Sequence, residues 1–423
     1  MKLNRNALNS KKGVLLKNTI MLYILQFSTY LLSFIVVPYE TRVLGSDVFG
    51  KLGVASAIMV YFQLFIDFGF LLSATEDVSR SREDKPKVSR IWTAVTISKL
   101  FLSAASFVVL FILCNTVQAW KADKTFYLLF LAATAINSMI PDYLYRGMEQ
   151  MGAITIRTVA IKTFFTVMIV LLLKRPEQYC IIPILNIIGN LAALLGVYVH
   201  LHRQLDIRFC RVSAKEIWQH FRRSSTFFYS RIASSIYTAS NTVILSLIAG
   251  GASVGYYSLA DKLVTTAKSG LSPISDSMYP YMTKNKDFKL VWKILRIFMP
   301  IIIGGCLVVS IFARPLCEIV FGAGYGDAAP VLRAMMPVVI VILPSYILGF
   351  PTLSAMGLSK YANYSVVFGS ALHVFNLTVL YFSGHMNMVT LGALVSVAEC
   401  VILLFRIVVI YRHRDRLKKT EAE

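Results

Sequence analysis

The stretch Asn18–Ser73, NTIMLYILQFSTYLLSFIVVPYETRVLGSDVFGKLGVASAIMVYFQLFIDFGFLLS, decides how the chain is read. It holds two apolar spans joined by Thr41-Arg42-Val43-Leu44-Gly45-Ser46-Asp47, with Gly50 just after the second span begins. The pattern returns far downstream. A span rich in Ser, Thr and Ile ends at Ala249-Gly250-Gly251-Ala252-Ser253, and Gly255 follows at the separation that joins Gly45 to Gly50. Each loop leads into a segment carrying an acid, Asp67 in the first case and Asp261 in the second. Two related halves, each opened by a helical hairpin, are expected.

Composition sets the solvent. The chain has 423 residues, 56% of them hydrophobic and 15% charged, with a mean hydropathy of +0.64. That is more apolar surface than a soluble domain can hide. A helical crossing needs about 20 apolar residues, and the chain supplies many such blocks. The period-two alternation of a transmembrane barrel is absent. A net charge of +21 would suit a nucleic-acid partner, but the bases cluster in alternate breaks between spans, as the positive-inside rule requires. Nucleic-acid binding is therefore set aside. The six cysteines are scattered, with no CxxC pair or metal spacing. The first apolar run is too long for a signal-peptide core, so the N-terminus is expected to be retained.

Spans are expected near 18–40, 48–72, 90–113, 125–145, 154–173 and 180–201, then 224–248, 254–280, 291–313, 330–352, 362–382 and 388–410. The fold class is thus all-α integral membrane, with twelve transmembrane helices in two six-helix lobes around a central cavity. Residues 1–201 form the first lobe, 202–223 a cytoplasmic linker with an amphipathic helix at Ala214–Phe221, 224–410 the second lobe, and 411–423 a basic tail. One set of breaks holds about 28 Lys and Arg and the other about 6, which places both termini in the cytoplasm. An even number of spans per half makes the pseudo-repeat parallel.

Charges inside spans are the most informative residues, because each costs about 2.5–3.5 kcal/mol unless it meets water or a partner. Lys99, Lys162, Arg231 and Lys268 all fall there. Arg231, Ser235, Thr238 and Thr242 share one helical face, as do Asp261, Thr265, Lys268, Ser272 and Asp276. Gln63 and Asp67 continue the stripe in the second span. These faces are expected to wall a hydrated, cation-rich cavity. The competing reading is structural pairing, Arg231 with Asp67 or Lys268 with Asp261. Asp67, Asp276 and Arg406 lie near cytoplasmic span ends, within reach of headgroups, while Glu399 and His373 sit deeper and are candidates for proton or sodium coupling. Prolines at 300, 330, 337, 344 and 351 read as packing kinks or hinges. No catalytic motif or cofactor site is present, so an enzyme is not expected.

Several segments carry a resemblance. Pro38-Tyr39-Glu40-Thr41-Arg42-Val43-Leu44-Gly45 with Phe49-Gly50, then Asp67-Phe68-Gly69-Phe70, form one. Val254-Gly255-Tyr256-Tyr257-Ser258-Leu259-Ala260-Asp261-Lys262-Leu263 forms another, and Phe321-Gly322 with Leu332-Arg333 and Met356-Gly357 a third. Together they resemble the Wzx (RfbX-like) polysaccharide flippases of the multidrug/oligosaccharidyl-lipid/polysaccharide exporter superfamily. Asp261 stands where that family often has Glu. The resemblance implies an undecaprenyl-pyrophosphate-linked oligosaccharide, such as an O-antigen unit of lipopolysaccharide biosynthesis, moved across a bacterial inner membrane. It also implies a polysaccharide polymerase and a chain-length regulator as partners. The pyrophosphate then falls to Arg231, Lys268, Lys99 and Lys162, with Arg42 at the outer mouth. Two alternatives remain: a small-molecule or multidrug exporter of the same superfamily, and a membrane-embedded polysaccharide polymerase.

Overall fold

In the computed structural model the backbone is described for residues 11–414, and the side chains of 11–19, 22, 229–231, 233–238, 280 and 284 lie outside the description. The described residues form helices and turns, with no strand. Nine helical runs among them are long and apolar enough to cross a membrane. The protein is a multi-pass, all-helical membrane protein.

The opening stretch folds as two helices that meet at a kink, together labelled α1. Helix α1, Lys11–Asp67, passes through Thr41–Asp47, the segment read above as a loop. Only Gly45 leaves helical geometry, at φ 72° and ψ 172°, a left-handed φ that costs glycine nothing because it has no Cβ. Laid out straight, its 57 residues would reach about 86 Å against roughly 30 Å of hydrocarbon. The bend at Gly45 therefore joins two crossings without a loop.

The chain divides into two compact units, the first comprising Met1–Leu44 with Ala55–Ile232 and the second Gly45–Val54 with Ala233–Glu423. The 202–223 segment lies wholly inside the first unit. Besides the flanks of α1, unit 1 holds α2 (Phe70–Arg80), α3 (Lys85–Thr116), α4 (Lys124–Ser138), α5 (Asp142–Gly147), α6 (Met151–Leu172), α7 (Ile181–Arg203) and the start of α8 (Ala214–Ile248). Helix α3 begins where Asp84 accepts from the backbone N–H of Lys87 at 3.0 Å, a side-chain N-cap. Between α1 and α2 the chain breaks at Phe68 (φ 41°) and Gly69 (φ 79°). Phe68 holds that unfavourable φ because its ring is stacked between Phe221, at 4.1 Å, and Phe228, at 4.6 Å. A Cβ on Gly69 would meet Ser224 O at 2.7 Å.

The start of α8 is therefore docked on protein. Ser213 and Glu216 cap each other, with Ser213 N donating to Glu216 Oε2 at 2.9 Å and Glu216 N to Ser213 Oγ at 3.3 Å. The Ser213 backbone donor, helped by Arg90 at 2.8 Å, holds the Glu216 carboxyl below the usual carboxylate range. Arg223 pairs with Glu76 at 2.9 Å and with Asp77, and Ser73 Oγ lies 2.6 Å from Ser224 Oγ. Trp218 stays exposed at the surface of this amphipathic segment.

Unit 2 holds the rest of α8, α9 (Gly251–Asn285), α10 (Phe288–Ile311), α11 (Ala313–Phe321), α12 (Ala329–Ile347), α13 (Ser359–Phe382) and α14 (Met388–Arg412). Its Gly45–Val54 segment crosses the start of α9 at the paired glycines. A Cβ on Gly50 would overlap the Gly251 carbonyl, and one on Gly255 would overlap the Ser46 carbonyl. The contact is reciprocal, each glycine resting on the residue four positions before its counterpart. The repeated spacing in the sequence is the trace of this backbone-to-backbone crossing. Beyond α12 the chain makes a single π turn over Leu348–Thr352, with Gly349 at ψ −119°. Thr352 Oγ1 donates to the Ile347 carbonyl at 2.8 Å, the carbonyl that Pro351 leaves free. Arg406 fills the break, donating to the Ser345 carbonyl, to Ser345 Oγ at 2.9 Å and to Ser365 Oγ at 2.9 Å. Expected near headgroups, Arg406 instead turns inward and is 6% exposed.

Candidate functional site

The cations singled out by the sequence go to different places. Lys99, on α3, donates to Asp67 Oδ1 at 2.8 Å and to the Ser138 carbonyl at 2.7 Å, with its side chain 6% exposed. Lys268, on α9, donates to Glu399 Oε1 at 2.6 Å, on α14. Each is neutralised by a carboxylate within its own unit. Asp67 thus pairs with Lys99, and Lys268 with Glu399 in addition to an electrostatic contact with Asp261. Arg42 and Thr265 are exposed. The side chains of Arg231 and Thr238 lie outside the described residues.

Lys162 and Gln63 are brought together. Both line a cavity of about 320 Å³ inside unit 1, between the second half of α1 and helices α4, α6 and α7. Lys162 sits on α6, one and a half turns beyond Arg157, which lines the same space. Its Nζ donates to Thr29 Oγ1 at 3.1 Å. Arg157 donates from Nη2 to Asp142 Oδ1 at 2.7 Å, while its Nε and Nη1 are buried with no hydrogen-bond partner among the described residues. Amides complete the wall. Asn186 and Asn190 stand one turn apart on α7 and donate to the carbonyls of Ile182 and Ala133 at 3.2 and 3.1 Å. Asn137 and Gln63 face the same space, with Phe130 and Phe165 as flat apolar walls. Among the described residues lining the cavity, none is acidic. Such a surface offers many neutral donors and acceptors and a positive field, which fits hydroxylated, anionic ligands.

Sequence reasoning missed Arg157 and the three asparagines. Arg157 falls at the basic end of its expected span, 154–173, and is not among the charges singled out there. The Asn186/Asn190 pair carried a usable signal, two amides at helical spacing on one face.

In unit 2 a second polar line is buried. His373 Nε2 lies 3.0 Å from Asn241 Oδ1, and Asn241 Nδ2 donates to Tyr257 Oη at 3.0 Å. Tyr257 lies one turn before Asp261 on α9. Asn241 is fully buried and had not been singled out in the sequence.

The profile described as "Polysaccharide biosynthesis protein" matches residues 15–286, more than half of the chain. The chain belongs to the polysaccharide biosynthesis protein family. Two curated relatives of this family member carry the name "Putative O-antigen transporter". That from Escherichia coli (strain K12) is 26% identical over 386 residues, covering 88% of this chain and 92% of the relative. That from Shigella dysenteriae is 25% identical over 403 residues, covering 92% and 98%. Among solved structures, an inward-facing multidrug resistance MATE family transporter of the MOP superfamily superposes with a TM-score of 0.69 at 13% identity, covering 96% of this chain and 99% of that one. The lipid II flippase MurJ, in an inward closed conformation, gives 0.67 at 12% identity, covering 96% and 90%. At these identities the likeness is one of fold.

Proposed function

We propose that this protein is a flippase that moves a polyprenyl-diphosphate-linked oligosaccharide, an O-antigen or similar surface-polysaccharide unit, from the cytoplasmic to the outer leaflet of a bacterial inner membrane. The observation that carries the reading is the unit 1 cavity, with two bases, four amides and no acid among its described lining residues. A lipid-linked glycan presents the complementary surface: hydroxyls for the amides and negative charge for the bases, neither of which hydrocarbon accepts. The names of the two relatives and the flippase fold neighbour support the same class. Family membership gives it a place in polysaccharide biosynthesis.

In this reading twelve crossings, with α1 supplying two, carry the cargo by alternating access, and both termini are cytoplasmic. Lys162 and Arg157 receive the head group, with Arg231 and Arg42 as the remaining candidates for the diphosphate. Lys99 and Lys268 hold helices together through Asp67 and Glu399. Asp261 and Glu399 are the candidates for ion coupling. A polymerase and a chain-length regulator would act on the delivered unit. Export of cationic drugs, suggested by the multidrug fold neighbour, asks for acids where this cavity has bases. The test is deletion of the gene: lipid-linked repeat units should accumulate on the inner leaflet while surface polysaccharide is lost. Drug sensitivity with intact surface glycan would favour the exporter instead.

A further inference from the structure

Helix α10 is the least buried of the nine apolar runs. One side of it, carrying Phe288, Val291, Leu295 and Cys306, packs into unit 2. Along the other side Lys289, Lys293 and Arg296 are exposed over two turns, with Trp292 beside them at 64% exposure. Beyond Arg296 that side turns aliphatic, with Ile297, Ile301, Leu307 and Val308 exposed. A helix face that is basic and aromatic for about 10 Å and aliphatic afterwards has the outline of a phospholipid, headgroup first and chain after.

The bases are not matched from within. Lys289 and Lys293 are four residues apart and Lys293 and Arg296 three, spacings at which like charges oppose each other on a helix surface. The neighbouring acid, Asp287, caps the helix instead, accepting from Leu290 N at 3.1 Å. Among the described residues none of the three bases makes an ion pair. A basic span end does not have to be left so. In unit 1 such bases are met by acids of the protein, Arg80 by Glu76, Arg82 by Glu149 and Arg90 by Glu216. On α10 the compensating anion comes from outside the chain, and the exposed tryptophan and aliphatic run make it a lipid and not a soluble ion.

We propose that the basic side of α10 is a binding site for an anionic phospholipid of the adjoining leaflet. Lys293 and Arg296 hold its phosphate, Lys289 adds to the positive field, Trp292 lies against the headgroup, and an acyl chain runs along Ile297 and Ile301. The inference does not depend on what the protein transports.

The test follows Trp292 fluorescence in the full chain carrying Trp218→Phe, reconstituted with brominated lipids as quenchers; Trp92 and Trp120 are buried. At equal mole fraction, brominated phosphatidylglycerol should occupy the site roughly tenfold in preference to brominated phosphatidylcholine, as one or two interfacial charge contacts provide. Adding Lys289→Gln/Lys293→Gln/Arg296→Gln, three exposed positions that leave packing untouched, should bring that ratio near one. Removing three exposed bases elsewhere, with Arg211→Gln/Lys215→Gln/Arg222→Gln, should leave it unchanged. Equal quenching by the two lipids without either triple substitution would overturn the proposal, as would a preference that the α10 substitutions leave intact. Loss of the preference in both triple variants would overturn it as well, because the attraction would then be general and not local. Displacement of brominated phosphatidylglycerol by a small fraction of its concentration of polyprenyl diphosphate would overturn the choice of lipid and give the site to that diphosphate.

Discussion

Replacing Lys99 by Met should destabilise unit 1 and abolish surface polysaccharide, and adding Asp67→Asn should restore both. The Lys99 side chain is 6% exposed and that of Asp67 20%, with 2.8 Å between Nζ and Oδ1, so solvent screens the pair little. Removing one partner of a buried pair costs about 3–5 kcal/mol because the other is left uncompensated, whereas removing both is often near neutral. The Ser138 carbonyl, 2.7 Å from Nζ, also loses its donor, and Asn at 67 does not replace it. For a unit of this size 3 kcal/mol corresponds to roughly 6–12 °C in melting temperature. The assay is thermal unfolding of the detergent-purified single and double variants, with surface polysaccharide scored in a deletion strain at matched protein level. The single variant should melt several degrees lower, and the double variant should recover most of the loss and transport normally. A double variant that melts like the wild type but exports nothing would refute the reasoning, because Lys99 would then be touching cargo.

Other consequences follow from the same geometry. Gly50→Ala and Gly255→Ala should each cost about 1–3 kcal/mol, since the added methyl meets backbone that has nowhere to go. Gly304→Ala and Gly305→Ala, with nothing within 4 Å of the added atom, should be neutral in the same melting experiment. Arg406→Met should cost about 1–3 kcal/mol by removing the buried donor shared by the Ser345 carbonyl, Ser345 Oγ and Ser365 Oγ, and hydrogen exchange around Gly349 should rise. Lys162→Met should lower polysaccharide export roughly tenfold or more, with normal protein level and melting temperature, through the loss of one charge-assisted contact.

The repeated glycine spacing was legible because glycines at a helix crossing leave a fixed interval in the sequence, and the reciprocal contacts of Gly50 and Gly255 account for it. That the two helices of α1 meet at Gly45 with almost no intervening loop was not legible. Gly45, Ser46 and Asp47 are ordinary turn residues, and only the packing of Gly50 on Gly251 shows that the helix resumes at once. Intramembrane charge pointed correctly to buried polar structure, but pairing was beyond reach, since Lys268 and Glu399 are separated by 131 residues. The cavity was half visible. Lys162 and Gln63 stood out as polar residues in apolar spans, whereas Arg157 was masked by the basic break that adjoins its end of the span and the asparagines by being uncharged. The burial of Arg406 had no local signature, because its partners, Ser345 and Ser365, lie 61 and 41 residues away in the chain.

The central claim is that this chain carries a lipid-linked glycan across the bilayer. The most direct measurement reconstitutes the purified protein in vesicles loaded with a polyprenyl-diphosphate-linked oligosaccharide and follows how much becomes accessible to a membrane-impermeant glycosidase. Nearly complete accessibility within minutes, slowed roughly tenfold or more by Lys162→Met, is the predicted result. Accessibility that stays near one half with wild-type protein present, as in protein-free vesicles, would contradict it.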